Sequence, residues 1–223
     1  AITASLGNLN AEGDREHSLK TFRILVFIFH ASTAFCGICM LLCMNNFISL
    51  WIGEDYVLEI RVVFAIVFCF YISNIITPVW VYRETMGLFR ETKYLMMIAA
   101  AINLILSIIL GNRIGLSGII AATGLARLLT TVWFEPRILF KKKFEENVNP
   151  YYLQQIKYTF QTILCAVLAY LVTQNIPISL IGLICRVLIA FSVVVAVFIL
   201  CNRKSEEYIY IKNLIESILK KYV

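Results

Sequence analysis

The sequence predicts an all-α membrane protein, a bundle of about six transmembrane helices. Hydrophobic residues make up 60% of the 223-residue chain and charged residues only 15%, against about 25% charge in a water-soluble domain. The charges are clustered, and they leave apolar stretches of about 20 residues, long enough to cross about 30 Å of hydrocarbon. Short segments containing Gly, Asn or Pro separate several stretches. A soluble fold is therefore excluded, and the net charge of +6 does not indicate nucleic-acid binding.

Six spans follow from this pattern, and two pairs of them form hairpins. The predicted spans are residues 21–44, 57–81, 94–110, 116–135, 158–172 and 178–201. The third and fourth spans are joined by the five residues 111–115, and the fifth and sixth by residues 174–177. Connections this short require antiparallel neighbours.

The predicted organisation has four parts. They are a cytoplasmic polar segment (1–20), the first four transmembrane helices (21–144), two additional transmembrane helices (145–203) and an amphipathic cytoplasmic tail helix (204–223). The tail fits a helix lying on the membrane surface and equally a helix packed on the cytoplasmic loops. Because the chain opens with Ala1 and shows no signal-peptide pattern, we expect it to be the end of a longer protein.

The distribution of basic residues predicts the orientation. Every Lys and Arg outside Arg61, Arg113, Arg127 and Arg186 falls at a chain end or near the second–third and fourth–fifth connections. By the positive-inside rule, both ends of the chain and these two connections face the cytoplasm. The loop 45–56 carries Glu54 and Asp55 without a basic residue, as expected for the outer side.

Arg127 is the strongest functional candidate because a charge deep in a bilayer costs on the order of 3 kcal/mol. It lies about 18 Å along the fourth span from the outer end. Thr123, Thr130 and Thr131 lie on the same face, within about 60° of it at 100° per residue. This stripe predicts a cavity that receives cargo, although a structural Arg neutralised by carbonyls or by an acid elsewhere is the alternative.

The other candidates have stronger structural alternatives. Arg61 lies near the outer end of its span and can reach the interface by snorkelling. His30 lies near the middle of the first span, where it could titrate or serve as a structural hydrogen-bonding group. Asn74 precedes Pro78 by four residues, so its carbonyl loses the usual helical partner. Asn74 is a further cavity candidate, and Pro78 predicts a hinge in the second span.

The sequence gives no sign of an enzyme. It contains no glycine-rich phosphate loop, no HExxH motif, no paired carboxylates at membrane depth and no Ser/His/Asp set. Cys36 and Cys39 have CxxC spacing, but their apolar setting favours structural thiols over metal or redox chemistry. No metal and no cofactor is therefore expected.

Two stretches resemble a family of transporters. NNFISLWIGEDYVL, residues 45–58, resembles the outer loop of bacterial polysaccharide transporters, and residues 87–144, from GLFRETKYLMM to ILFKKKF, are similar to their late helices. The opening AITASLGNL, residues 1–9, also resembles the middle region of these transporters. These are the Wzx-type polysaccharide and O-antigen repeat-unit flippases of the multidrug/oligosaccharidyl-lipid/polysaccharide (MOP) exporter superfamily, which has two lobes and usually about fourteen helices. The resemblance implies that this chain is the C-terminal portion.

The resemblance implies function and partners as well. A flippase would move undecaprenyl-pyrophosphate-linked oligosaccharide units from the inner to the outer leaflet of the bacterial cytoplasmic membrane by alternating access, for O-antigen, capsule or exopolysaccharide synthesis. The expected partners are this lipid-linked substrate, membrane lipids, a coupling cation (H⁺ or Na⁺) and a polysaccharide polymerase complex. Two alternatives are a multidrug cation antiporter of the same superfamily, disfavoured because no acidic residue is expected deep in a span, and a non-transporting membrane scaffold.

Overall fold

The computed structural model describes residues 15–222, and within this range every regular element is a helix. The elements, in chain order, are α1 (Arg15–Trp51), a 3₁₀ turn (Glu54–Tyr56), α2 (Ile60–Ile75), α3 (Thr77–Thr85), α4 (Phe89–Ile114), α5 (Leu116–Leu129), α6 (Thr131–Leu139), a π-helical turn (Phe140–Phe144), α7 (Asn149–Thr173), α8 (Leu180–Asn202) and α9 (Glu206–Tyr222). In the described residues, six helical segments are long and apolar enough to cross a membrane. The predicted all-α polytopic bundle is confirmed.

The helices are longer than the apolar stretches that predicted them. α1 has 37 residues from Arg15 to Trp51, whereas a polar segment was predicted up to Lys20. Backbone hydrogen bonding continues through polar residues, and about 20 residues already cross the hydrocarbon, so hydropathy marks the membrane boundary and not the helix end. The segment 1–14, which includes the AITASLGNL motif, lies outside the described residues.

α1 is the central helix of the bundle. It packs against α2, α7 and α8, and it buries Phe22, Val26 and Ala34 completely. We call the side where α1 begins and α8 ends the basic side. There, the ring of Phe22 contacts the rings of four other buried aromatic residues, which come from α3, the π-helical turn and α7. These are Tyr82, Phe140, Phe144 and Tyr151.

α4 lies at the edge of the bundle and is held there by α5. Among its residues only Thr92 is buried, so most of its apolar side chains are available to lipid. Gly115, with φ of 65°, forms the turn between the two helices. At Gly118 a Cβ atom would lie 2.3 Å from the backbone oxygen of Leu110. The absence of a side chain at Gly118 therefore allows close backbone contact between α4 and α5 at this position.

Gly118→Ala should lower the free energy of unfolding by about 1–3 kcal/mol, because the added methyl group meets backbone that cannot rotate away. Thermal or denaturant unfolding of the purified protein measures the change. Gly37→Ala is the matched control, since its Cβ would meet only side-chain atoms at 3.8 and 3.9 Å. Equal stability of the two variants would contradict the close contact.

The second and fourth spans are each broken into two helices. α2 ends at Ile75 and α3 begins at Thr77, next to Pro78, because proline has no N–H to donate and its ring clashes with the carbonyl four residues earlier. The break between α5 and α6 falls at Thr130, whose φ and ψ are −123° and −83°. The hydroxyls of Thr130 and Thr131 donate to carbonyls four residues back, a bond that bends helices.

The tail helix α9 packs its first turns on the bundle. Glu207 is 9% exposed and accepts a hydrogen bond of 3.1 Å from Gln154 Nε2. Tyr208 and Ile211 contact the core, while Leu214 further along is 47% exposed. The start of α9 therefore packs on α1, on α7 and on the core, and not on the loops.

Candidate functional site

The two helix breaks are joined by the side chain of Arg127. This residue lies in the last turn of α5, and its Nη1 donates a hydrogen bond to the hydroxyl of Ser73 in α2. Its guanidinium carbon also lies 5.3 Å from the centroid of the Trp80 ring in α3, within cation–π distance. The residue as a whole is partly buried. Arg127 thus contacts residues on either side of the break at Ile76, close to the break in its own span.

Trp80 also contacts a buried ion pair that joins α3 to α6. Arg83 Nη1 lies 3.1 and 3.2 Å from the two carboxylate oxygens of Glu135, and its guanidinium carbon lies 6.0 Å from the Trp80 ring centroid. Arg83 is 6% exposed and Glu135 2% exposed. Such a pair holds its helices together because separating it would leave an uncompensated charge.

Neither partner of the ion pair was among the sequence candidates. Arg83 was assigned to a basic connection, and Glu135 marked the predicted end of the fourth span. The sequence offers one signal. A base, Arg83, follows the C-terminal end of the second span, and an acid, Glu135, lies at the C-terminal end of the fourth span. That signal does not establish burial, which results from the packing of α3 on α6.

A cavity of about 670 Å³ lies between α1, α2 and α7, with side chains from α5 and α6 on one wall. Most of its lining is apolar. The polar groups form one strip from α1, α2 and α7: Thr33, Tyr71, Gln155, Thr159 and Thr162. Towards the basic side the cavity is lined by Trp133, Tyr151 and Tyr152, where the hydroxyl of Tyr152 donates to the carbonyl of Trp133 and joins α6 to α7.

The predicted cargo residues do not line this cavity. Its lining includes Leu128, the neighbour of Arg127, whereas Arg127 itself contacts α2 and α3. The hydroxyl of Thr123 donates at 3.5 Å to Asn103 Oδ1 of α4. Asn74 Nδ2 donates at 2.8 Å to the carbonyl of Phe70. The role of Arg127 in a cargo path stays a prediction.

The remaining candidates lie in three separate places. Arg61 is exposed near the start of α2. His30 is fully buried in α1 and contacts two residues of the polar strip, Gln155 and Tyr71. Pro78 lies in the first turn of α3, directly after the break. The structure therefore brings Arg127 and the Pro78 break close together, and it places His30 behind the cavity wall.

Arg186 has a local structural explanation. It is 9% exposed, and its Nη2 donates a 2.6 Å hydrogen bond to the carbonyl of Ile176, in the connection between α7 and α8.

All seven cysteines are free thiols. In the described part of the chain, no three His, Cys, Asp or Glu side chains are grouped to hold a metal ion.

Comparison of the chain with protein-family models, with curated proteins and with solved structures gives no match. The resemblance to polysaccharide flippases therefore depends on the sequence motifs alone. The structure itself defines a multi-pass helical membrane protein with a cation between two broken spans and a largely apolar cavity beside it.

Proposed function

We propose that the chain is the C-terminal part of a flippase that moves undecaprenyl-pyrophosphate-linked oligosaccharide units across the bacterial cytoplasmic membrane. The observation that carries the proposal is Arg127 at two adjacent broken helices. Broken helices occur at the substrate sites of many transporters because the interruption leaves polar backbone groups that a ligand can use. A cation held at such a place is suited to an anionic group.

The chemistry of the site favours an amphipathic anion as cargo. A guanidinium pairs with phosphate through several donors at fixed geometry, which suits a pyrophosphate linkage. The cavity between α1, α2 and α7 offers an apolar surface with a strip of hydroxyl and amide groups, and such a surface suits a lipid better than a free ion. Together these features support a lipid-linked anion over a soluble metabolite.

In this proposal, the chain ends and the basic connections face the cytoplasm, and the protein alternates between inward-open and outward-open states. The other lobe, encoded upstream, would complete the central cavity. The breaks at Ile76 and Thr130 would serve as the hinges. A polymerase complex would receive the translocated units, and a coupling cation would drive the cycle.

Reconstitution of the full-length protein tests the function directly. Vesicles are loaded with a lipid-linked oligosaccharide bearing a fluorescent sugar, and a membrane-impermeant quencher reports its movement between leaflets. We expect movement of the pyrophosphate-linked lipid and little movement of the same lipid with an uncharged linkage. Equal rates with and without the protein would reject the proposal.

A membrane scaffold is the second candidate, and a specific observation favours it. Arg127 is engaged by Ser73 and Trp80, and the hydroxyls of Thr130 and Thr131 bond within their own helix, as expected for polar groups that only hold helices together. A scaffold would support polysaccharide synthesis in cells while moving no lipid in purified vesicles. A cation antiporter has no comparable support, because the carboxylate of Glu135 is paired with Arg83.

A further inference from the structure

A closed ring of hydrogen bonds joins α1, α2 and α7 around His30. The His30 Nε2 lies 2.5 Å from Gln155 Oε1, and its Nδ1 lies 3.5 Å from the hydroxyl oxygen of Tyr71. The Tyr71 hydroxyl donates at 2.9 Å to the hydroxyl of Thr159. Thr159 then donates at 2.8 Å to the backbone carbonyl of Gln155, which closes the ring.

The donors in this ring restrict where the imidazole carries hydrogen. Tyr71 has one hydroxyl hydrogen, and it is given to Thr159, so its oxygen can only accept from His30 Nδ1. In a neutral imidazole the other nitrogen, Nε2, is then an acceptor and needs a donor. The side chain of Gln155 presents its carbonyl oxygen there instead. Its amide Nε2 is buried without a hydrogen-bond partner.

This arrangement fits an imidazole that is protonated on both nitrogens. The ring then donates from Nε2 to Gln155 Oε1 and from Nδ1 to Tyr71. Rotating the amide of Gln155 by 180° exchanges its nitrogen and oxygen at nearly unchanged shape. The rotated amide would donate to Nε2 of a neutral imidazole. The site therefore accommodates both charge states of His30 through a change in one neighbouring side chain.

We infer that His30 is a proton-binding site and that the orientation of the Gln155 amide follows its charge. The proton forms the N–H bond at Nε2 on binding and returns to water on release, so no other bond changes. Gln155 and Tyr71, the two hydrogen-bond partners of the imidazole, both line the cavity, so the proton-binding group lies directly behind the cavity wall. The ligand of this site is therefore a proton.

The surroundings of His30 explain why the site depends on helix packing. Tyr71 and Tyr158 are the titratable groups whose rings face it, at centroid distances of 6.1 and 5.1 Å. The ring of Phe198, in α8, stacks on the ring of Tyr158. Charges lie one layer further out, where the Lys157 Nζ is 6.0 Å from the Tyr158 ring centroid.

Among the side chains that the structure describes, no carboxylate or basic group forms a hydrogen bond or ion pair with His30. A protonated imidazole would donate to two oxygen acceptors, Gln155 Oε1 and the Tyr71 hydroxyl oxygen, beside the rings of Tyr71 and Tyr158. These groups belong to three residues, Gln155 and Tyr158 of α7 and Tyr71 of α2, so movement of α7 away from α1 would weaken proton binding. By linkage, proton binding would in turn favour the packed state. Use of this site as the coupling site for transport rests on the proposed function.

Isotope-edited NMR of histidine-labelled, full-length protein in lipid nanodiscs tests the site without a transport assay. We expect the signals of both ring nitrogens of His30 to move together as pH is varied over the range in which the protein stays folded, as for an imidazole that gains and loses one proton. Gln155→Met keeps the side-chain volume but removes the amide, and it should move the His30 midpoint by at least about one pH unit. Gln174→Met, at an exposed glutamine beyond α7, should leave the midpoint unchanged.

Tyr71→Phe removes only a hydroxyl group and provides the same test if Gln155→Met fails to fold. A His30 signal that does not change anywhere in the pH range in which the protein stays folded would overturn the inference, as would equal midpoints in the Gln155→Met and Gln174→Met proteins. Transport is measured separately. A protein that moves no lipid-linked oligosaccharide defeats the proposed function and leaves the NMR result standing. Transport that is independent of pH while His30 titrates removes only the coupling role.

Discussion

Glu135→Leu is expected to lower the free energy of unfolding by about 3–5 kcal/mol, because it leaves the buried guanidinium of Arg83 without its counter-charge. The pair is well suited to such an effect. Both carboxylate oxygens are within 3.2 Å of Arg83 Nη1, and the side chains are 7% and 1% exposed. Unfolding of the purified protein, followed by heat or denaturant in detergent micelles, measures the loss.

A double variant separates the cost of an unpaired charge from the value of the pair. Arg83→Met combined with Glu135→Leu removes both charges at similar volume, and it should recover most of the lost stability, since apolar replacements of buried pairs are often neutral. Glu84→Gln is the control, because Glu84 is exposed and lies 3.8 Å from the same arginine. Its effect should stay within about 0.5 kcal/mol. A Glu135→Leu protein as stable as this control would contradict a buried, energetically coupled pair.

The number of spans and their hairpins could be predicted because they depend on local chemistry. Apolar length determines which segments can cross, and Gly115 with its positive φ terminates one helix where the sequence suggests a turn. The break near Pro78 follows from the geometry of proline. Helix ends were less predictable, as α1 shows, because polar residues at the interface continue the helix beyond the apolar stretch.

The contacts between distant segments could not be predicted. Gln155 lies 125 residues from His30, and Glu135 lies 52 residues from Arg83. The sequence gives the face of each helix on which a side chain lies, but the neighbour of that face depends on how the helices are rotated in the bundle. The stripe around Arg127 was therefore interpreted as a cavity wall, whereas the cavity beside it is lined by Leu128.

The second break, at Thr130, shows the same limitation on a local scale. Two adjacent threonines in a span are common and usually only pack, so their presence does not predict an interruption. In the structure, the hydroxyls of these two threonines donate hydrogen bonds to the backbone carbonyls of Ala126 and Arg127. The break matters because it aligns with the one at Ile76, where Arg127 connects the two spans.

Arg127→Ala in the full-length protein should reduce translocation of lipid-linked oligosaccharide at least about 30-fold, because truncating one partner of a desolvated charge pair costs about 2–5 kcal/mol. In cells, surface polysaccharide should be lost while the amount of protein in the membrane stays normal. Arg127→Lys should retain part of the activity if charge alone matters. Arg113→Ala, at an exposed arginine in the last turn of α4, is the matched control and should transport normally.

Ser73→Ala distinguishes a cargo-binding arginine from a structural one. It removes the hydroxyl that Arg127 contacts and leaves the guanidinium and Trp80 in place. If Arg127 binds cargo, this variant should retain most of its transport and lose little stability. If Arg127 only joins α2 to α5, Ser73→Ala and Arg127→Ala should be similarly destabilised and similarly reduced in surface polysaccharide. Normal polysaccharide in Arg127→Ala would exclude the arginine from the transport mechanism, because the cargo would then cross without the cation that contacts both sides of the break at Ile76.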